Sequence, residues 1–135
     1  MIVTGGKGEE RLVEEIVAGM SEPPLAVVGT LSLMELGALI RRAKVFISNS
    51  TGPMHIAAIV GTPVVAFFPP IVQCSPVRWG PYTHKKKIFL ADNKACFLCK
   101  GSPCRSNVCM DQITVDEVLA AAEKLIRMGS PNDKA

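Results

Sequence analysis

Long apolar runs are absent from this sequence. None reaches the roughly eighteen residues that a membrane-spanning helix needs, and the longest is interrupted by Pro63. The opening Met1-Ile2-Val3-Thr4-Gly5-Gly6 has neither a basic n-region nor an apolar h-region, so it does not read as a signal peptide, and a cytoplasmic location is expected. Charge of one sign is also scarce. A formal net charge of +3 is too small to imply nucleic-acid binding, and no nucleic-acid partner is expected. Aromatic residues are few, at 5%, against 48% hydrophobic and 20% charged residues. That balance suits an α/β domain built from Val, Ile, Leu and Ala better than a disordered or fibrous chain. At 135 residues the chain is long enough for a real core. Neither a Gly-Lys-Ser/Thr phosphate loop nor a Gly-x-Gly-x-x-Gly turn occurs, which removes the usual support for nucleoside-triphosphate and dinucleotide sites.

What is present alternates. Ile2-Val3-Thr4 reads as the tail of a strand, and a parallel strand normally arrives from an earlier helix, so the chain is expected to be the back part of something longer. Lys7 to Met20 carries Leu12, Val13, Ile16, Val17 and Met20 at helical spacing, and the Pro23-Pro24 pair follows. Leu25–Val28 is a short strand. Ser32 with Glu35 forms a capping box that opens a helix with Leu33, Leu36, Leu39, Ile40 and Ala43 on one face. Val45-Phe46-Ile47 is the next strand. The helix from Met54 to Val60 follows, with Pro53 at its first position and Gly61 closing it. Val64–Phe68 is another buried strand, residues 69–86 read as loop, and Lys87–Leu90 as strand. Thr114 with Glu117 repeats the capping box before a last helix to Met128, and Ser130–Ala135 should fray. Strands that read as continuous apolar runs between helices imply a parallel sheet covered on both faces, a Rossmann-like doubly wound layer. The expected organisation is a single domain over residues 1–135, with an α/β core at 1–90, a Cys-rich segment at 91–112 and a C-terminal helix at 113–128.

The chemistry is concentrated at Asn49-Ser50-Thr51-Gly52-Pro53-Met54-His55. In doubly wound sheets ligands lie beyond the C-terminal ends of strands, where loops enter helices. The first amides of a helix have no internal partner, and its dipole favours an anion there. Gly52 leaves the backbone accessible, Ser50 and Thr51 add hydroxyls, and His55 sits in the first turn. Together they could cradle a diphosphate. The plainer reading stands beside it: Ser, Thr, Gly and Pro are ordinary residues before a helix, and a lone histidine in an apolar helix is usually a core residue.

The stretch from Ala43 to Ala58, with Gly61-Thr62-Pro63-Val64-Val65-Ala66-Phe67-Phe68 and Trp79-Gly80-Pro81, resembles the ADP-heptose:lipopolysaccharide heptosyltransferase family. Thr4-Gly5-Gly6 with Glu9, Leu31-Ser32-Leu33 with Glu35-Leu36, and Cys109-Met110 before Ile113-Thr114 are similar to the family's flanking segments. The Thr-Gly-Pro-x-His block is the specific part. The resemblance covers essentially the whole chain but only the C-terminal half of the family's enzymes. It implies a GT-B architecture, in which this half binds an ADP-sugar and a missing N-terminal domain receives the lipopolysaccharide core and supplies the catalytic aspartate. By the same resemblance Thr51, Gly52 and His55 contact the diphosphate, Glu9 the ribose hydroxyls and Leu31 the adenine. His55 would stabilise the leaving group, and no cofactor is implied. The position before Thr51 is often Asp in that family and meets the donor sugar; here it is Ser50, which leaves the sugar open. Peripheral contact at the inner face of the inner membrane is the implied setting. A non-catalytic ADP-sugar module is the alternative.

Two features lie outside that block. Cys96, Cys99, Cys104 and Cys109 could close a zinc site, stay reduced or pair as disulfides, and a small zinc-stabilised interaction domain is a further alternative. The run His84-Lys85-Lys86-Lys87 reads as a solvated loop, with a surface for anionic partners as the second reading.

Overall fold

The computed structural model describes residues 1–92 and 109–129. The order is β1 (Ile2–Gly5), α1 (Glu10–Ala18), β2 (Leu25–Val28), α2 (Leu33–Arg41), β3 (Phe46–Asn49), α3 (Gly52–Val60), β4 (Val64–Phe68), α4 (Pro76–Trp79), β5 (Lys86–Leu90) and α5 (Val115–Gly129). All strand pairing among the described residues is parallel. The chain is therefore α/β, with helices connecting strands that point the same way.

The single sheet expected from the sequence is instead two. β1 pairs with β2, and separately β3-β4-β5 form a three-stranded sheet. Apolar runs reveal that a segment is a strand, but hydrogen-bond partners decide which sheet it joins. The chain accordingly divides into two compact units, Met1–Leu36 and Gly37–Ala135.

In the first unit, Gly5 in β1 stands opposite Val28 in β2, and the Gly29 amide donates to the Gly5 carbonyl at 2.9 Å. A β-carbon on Gly5 would lie 2.9 Å from a methyl of Val13 and 3.3 Å from one of Val28, so this glycine lets α1 close onto the strands. α1 is shorter than the periodicity predicts, and of its apolar stripe only Val13 is buried; Leu12 and Ile16 are 54% and 48% exposed. A two-stranded sheet is too narrow to cover the whole stripe.

The second unit holds the larger core. Val64, Val65, Ala66 and Phe68 of β4 are fully buried, as the central strand of a sheet with helices on it should be. Val65 packs with Ala122 and Leu125 of α5, and Val45, Phe67, Phe89 and Val118 close around them. The Phe67 and Phe89 rings stack at 5.8 Å. Each such fully buried Val or Phe contributes about 1.5–3 kcal/mol. Met54 and Ala57 anchor α3, which lies against β3 and β4. Gly61 ends α3 in the left-handed conformation at φ 84°, and the buried Thr62 hydroxyl donates to the Ile40 carbonyl at 2.8 Å, tying the end of α2 to the entry of β4. Residues 69–86, expected as loop, contain a 3-10 turn at Val72–Cys74 and the short α4, where the Trp79 indole N–H donates to the Gln73 carbonyl at 2.9 Å.

Candidate functional site

β3 ends at Asn49, and the chain turns at once into α3. The Ser50 amide still donates to the Phe67 carbonyl on β4 at 3.0 Å, so the turn begins on the sheet's hydrogen-bond ladder. Thr51 is extended at φ −128°, ψ 174°, the usual backbone of an N-cap, and its amide donates to the Asn49 carbonyl at 2.8 Å. Its hydroxyl makes no cap to α3. It lies 3.4 Å from both the Ser48 hydroxyl and the Asn49 carbonyl. The helix starts one residue earlier than the sequence predicts, so Pro53 occupies its second position.

Four helices of the described structure are nine or more residues long: α1, α2, α3 and α5. Three carry a carboxylate in the first turn: Glu10, Glu35, and Asp116 with Glu117. These acids complement the positive helix start. α3 has no acid there and no side-chain cap. Its exposed amide end is thus the one that the chain leaves without a negative partner among the described residues.

Gly52 sharpens this. Gly61 is required by its left-handed backbone. At Gly80 a β-carbon would sit 2.4 Å from the Pro76 carbonyl oxygen. Gly52 has neither reason: its φ is not positive, and a β-carbon there would meet nothing within 4 Å. Packing does not demand glycine at this position.

His55 is half-buried and has no protein hydrogen-bond partner among the described residues. It shares a helical stripe with exposed Gly52 and with Ile59, which is 83% exposed, while Met54 and Ala57 face the core. The histidine therefore does not belong to the buried face. Ser50 is half-buried and Thr51 exposed. The turn brings Ser50, Thr51, Gly52 and His55 together, as the sequence predicts.

Glu9 and Leu31 belong to the first unit, at the C-terminal ends of β1 and β2. The Gly6 amide donates to a Glu9 carboxylate oxygen at 2.6 Å, which fixes the side chain over the β1–α1 loop. Leu31 is 37% exposed in the segment that leads into α2, immediately before the Ser32–Glu35 capping box. Sequence reasoning passed over two residues beside them. Gly29 is left-handed at φ 64°, and a β-carbon on it would lie 3.2 Å from the Lys7 side chain. Lys7 thus packs against the Gly29 turn, and its signal was a lysine inside a glycine-rich turn. Ser48, which supports Thr51, was also missed; nothing distinguishes it from any other serine at a strand end. Of the four clustered cysteines, Cys96, Cys99 and Cys104 lie outside the described residues, and Cys109 is buried.

A parallel α/β protein whose strand–turn–helix junction lacks an acid and a side-chain cap has the arrangement found in many families that use helix N-termini at their ligand sites. The comparisons narrow the choice. Residues 1–109 match the model of glycosyltransferase family 9 (heptosyltransferase), and the chain belongs to that family. It is 33% identical over 135 residues to lipopolysaccharide heptosyltransferase 3 of Escherichia coli (strain K12), covering 98% of this chain and 38% of that protein. It is 35% identical over 78 residues to the lipopolysaccharide core heptosyltransferase OpsX of Haemophilus influenzae, covering 58% of this chain and 22% of that protein. Among solved structures, a family 9 glycosyl transferase from Veillonella parvula superposes with a TM-score of 0.77 at 26% identity over 95% of this chain and 37% of the other. The E. coli ADP-heptose lipopolysaccharide heptosyltransferase II superposes at 0.74 and 22% identity, over 94% of this chain and 36% of the other, a likeness of fold. The chain thus spans well under half the length of these relatives.

Proposed function

We propose that this chain is the donor-binding part of a glycosyltransferase that moves heptose, or a related sugar, from an ADP-sugar to a lipopolysaccharide core. It corresponds in this reading to the C-terminal, Rossmann-like, doubly wound half of a GT-B enzyme. The observation that carries the reading is the start of α3, which has no acid, no side-chain cap and an open glycine at Gly52. Thr51, Gly52 and His55 hold the diphosphate. Glu9 accepts hydrogen bonds from the ribose hydroxyls, Leu31 lines the adenine, and Ser50 faces the sugar. When the bond between the anomeric carbon and the β-phosphate oxygen breaks, negative charge grows on the departing ADP. The Gly52 amide, the α3 dipole and His55 stabilise that charge in the transition state, electrostatic help that needs no cofactor. The base that activates the acceptor lies, by the family resemblance, on the N-terminal acceptor domain. The setting is the cytoplasmic face of a membrane, since lipopolysaccharide is lipid-anchored.

Calorimetry tests the donor site. ADP should bind, and bind more tightly than UDP. His55→Ala should weaken ADP by about 1–3 kcal/mol, the range for a hydrogen bond to a charged group. Unchanged affinity in a folded His55→Ala variant would remove His55 from the site.

A further inference from the structure

The opposite end of the β3-β4-β5 sheet, where the strands begin, gathers positive charge. Two open clefts adjoin it: one lies at the last turn of α5, and the other runs along α5 from Glu117 to Met128 beside β5. One, of about 360 Å³, includes Arg41, Lys44, Lys85, Thr62, Ile126 and Gly129 in its lining. The other, of about 530 Å³, includes Lys86, Lys87, Lys124, Phe89, Leu125 and Met128. The six cations are all exposed, and none forms an ion pair among the described residues; Glu117 is the one carboxylate that lines either cleft. This is strong segregation for a chain whose net charge is +3.

Cations near helix C-termini complement the dipole, and that accounts for Arg41 in the last turn of α2. It does not account for Lys85, Lys86 and Lys87, which enter and begin β5 and lie on no helix. Apolar groups stand at the same end. Tyr82, in the loop before β5, is fully exposed, and Met128 is 61% exposed at the rim of the larger cleft. The Lys86 ammonium donates to the Pro81 carbonyl at 2.8 Å, which fixes the loop carrying Tyr82 beside the lysines.

We propose that this basic end of the second unit docks on an anionic lipid bilayer. The inference rests on the functional reading above, because a lipid-anchored acceptor requires the enzyme to work at a membrane. No helix of the described residues is long and apolar enough to cross one. The chemistry of the patch fits a lipid surface better than a nucleic acid. Five of the six cations are lysines, point charges suited to a diffuse anionic surface, whereas nucleic-acid recognition favours the forked geometry of arginine. Tyr82 and Met128 supply the interfacial anchors that accompany basic residues at headgroup level. Docked this way, the β3–α3 turn stands about 15 Å from the surface, the length of the strands between them at about 3.3 Å per residue.

The test is co-sedimentation of the whole chain with vesicles of phosphatidylcholine alone and of phosphatidylcholine mixed with phosphatidylglycerol. A Lys44→Gln/Lys85→Gln/Lys124→Gln variant and a Tyr82→Ser variant are run alongside. Binding should require phosphatidylglycerol and weaken with salt. It should fall about fivefold for each lysine removed, roughly a hundredfold in the triple variant. Equal sedimentation of the triple variant and the parent would overturn the proposal. So would tighter binding to a single-stranded RNA than to the anionic vesicles at the same ionic strength. ADP titration of the same samples separates the two readings. Vesicle binding that fails while ADP still binds counts against the basic face, and failure of the parent chain to bind ADP counts against the functional reading.

Discussion

Three glycines in the recognised segments look alike on paper and do different work. Gly61 is needed for a left-handed helix end, Gly80 because the Pro76 carbonyl occupies the space of a side chain, and Gly52 for neither reason. The sequence could place all three in turns, but only the coordinates separate glycines explained by packing from one that is not. His55 was ambiguous for the same reason. An imidazole in an apolar helix reads as core until its stripe is seen to include exposed Gly52 and Ile59. Ser50 carries a prediction at this scale. A carboxylate could accept two sugar hydroxyls where serine offers one short hydroxyl, and sites built around particular hydroxyls discriminate strongly. Ser50→Asp should therefore change the preference among ADP-sugars and leave ADP affinity nearly unchanged, as paired titrations of ADP and ADP-heptose against both proteins would reveal. If the variant loses ADP affinity as much as ADP-heptose affinity, Ser50 faces the phosphates.

At the scale of elements, the capping boxes were the most legible features. Ser32 and Glu35 bond reciprocally, with the Ser32 hydroxyl donating to Glu35 at 2.6 Å, and Thr114 donates to Glu117 at 2.7 Å. Both are local, three residues apart, and need no tertiary information. The side-chain hydrogen bond from Ser32, then its backbone amide, holds the Glu35 carboxyl below the ordinary carboxylate value; Thr114 does the same for Glu117. A carboxylate whose pKa is lowered by folding stabilises the folded state above its unfolded pKa and loses that contribution as the pH falls through the folded value. The cap on α5 should thus be intact at neutral pH and fade below about pH 4.5. Thr114→Ala should cost about 0.5–2 kcal/mol at pH 7, the range for a lost N-cap hydroxyl. Its deficit relative to the parent should shrink in acid. Urea unfolding of both proteins at pH 7 and pH 3.5 measures this, and a deficit that stays constant would mean that Glu117 does not share in the cap. α1 was less legible. Its stripe of Leu12, Val13, Ile16, Val17 and Met20 fixes helical periodicity, but how much of a stripe is covered depends on the width of the neighbouring sheet, which periodicity does not encode.

For the whole molecule, strand identity and direction were readable and sheet membership was not. β2 falls where the apolar run puts it, and β5 starts one residue earlier than expected. That β1 and β2 form one sheet and β3-β4-β5 another depends on backbone pairing across intervals that no local pattern spans. The chain spans 38% of its E. coli K12 relative, and the functional reading proposed above places the acceptor site outside it. The purified 135-residue protein should accordingly bind ADP without transferring sugar to a lipopolysaccharide core acceptor. Product formation in a radiolabelled transfer assay would contradict this; slow hydrolysis of the donor would not, because water can replace the acceptor.

The outer edge of β3 bears on how the protein behaves in a test tube. The amides of Phe46 and Ser50 point toward β4, so those of Ile47 and Asn49 point away, toward a side where no strand of the described residues pairs. β5 is guarded by Lys86 and Lys87 within the strand, whereas Phe46-Ile47-Ser48-Asn49 contains no charge at all. An uncharged edge is a better template for other extended chains than a lysine-bearing one, so within this sheet concentrated or long-stored preparations should self-associate through β3 before β5.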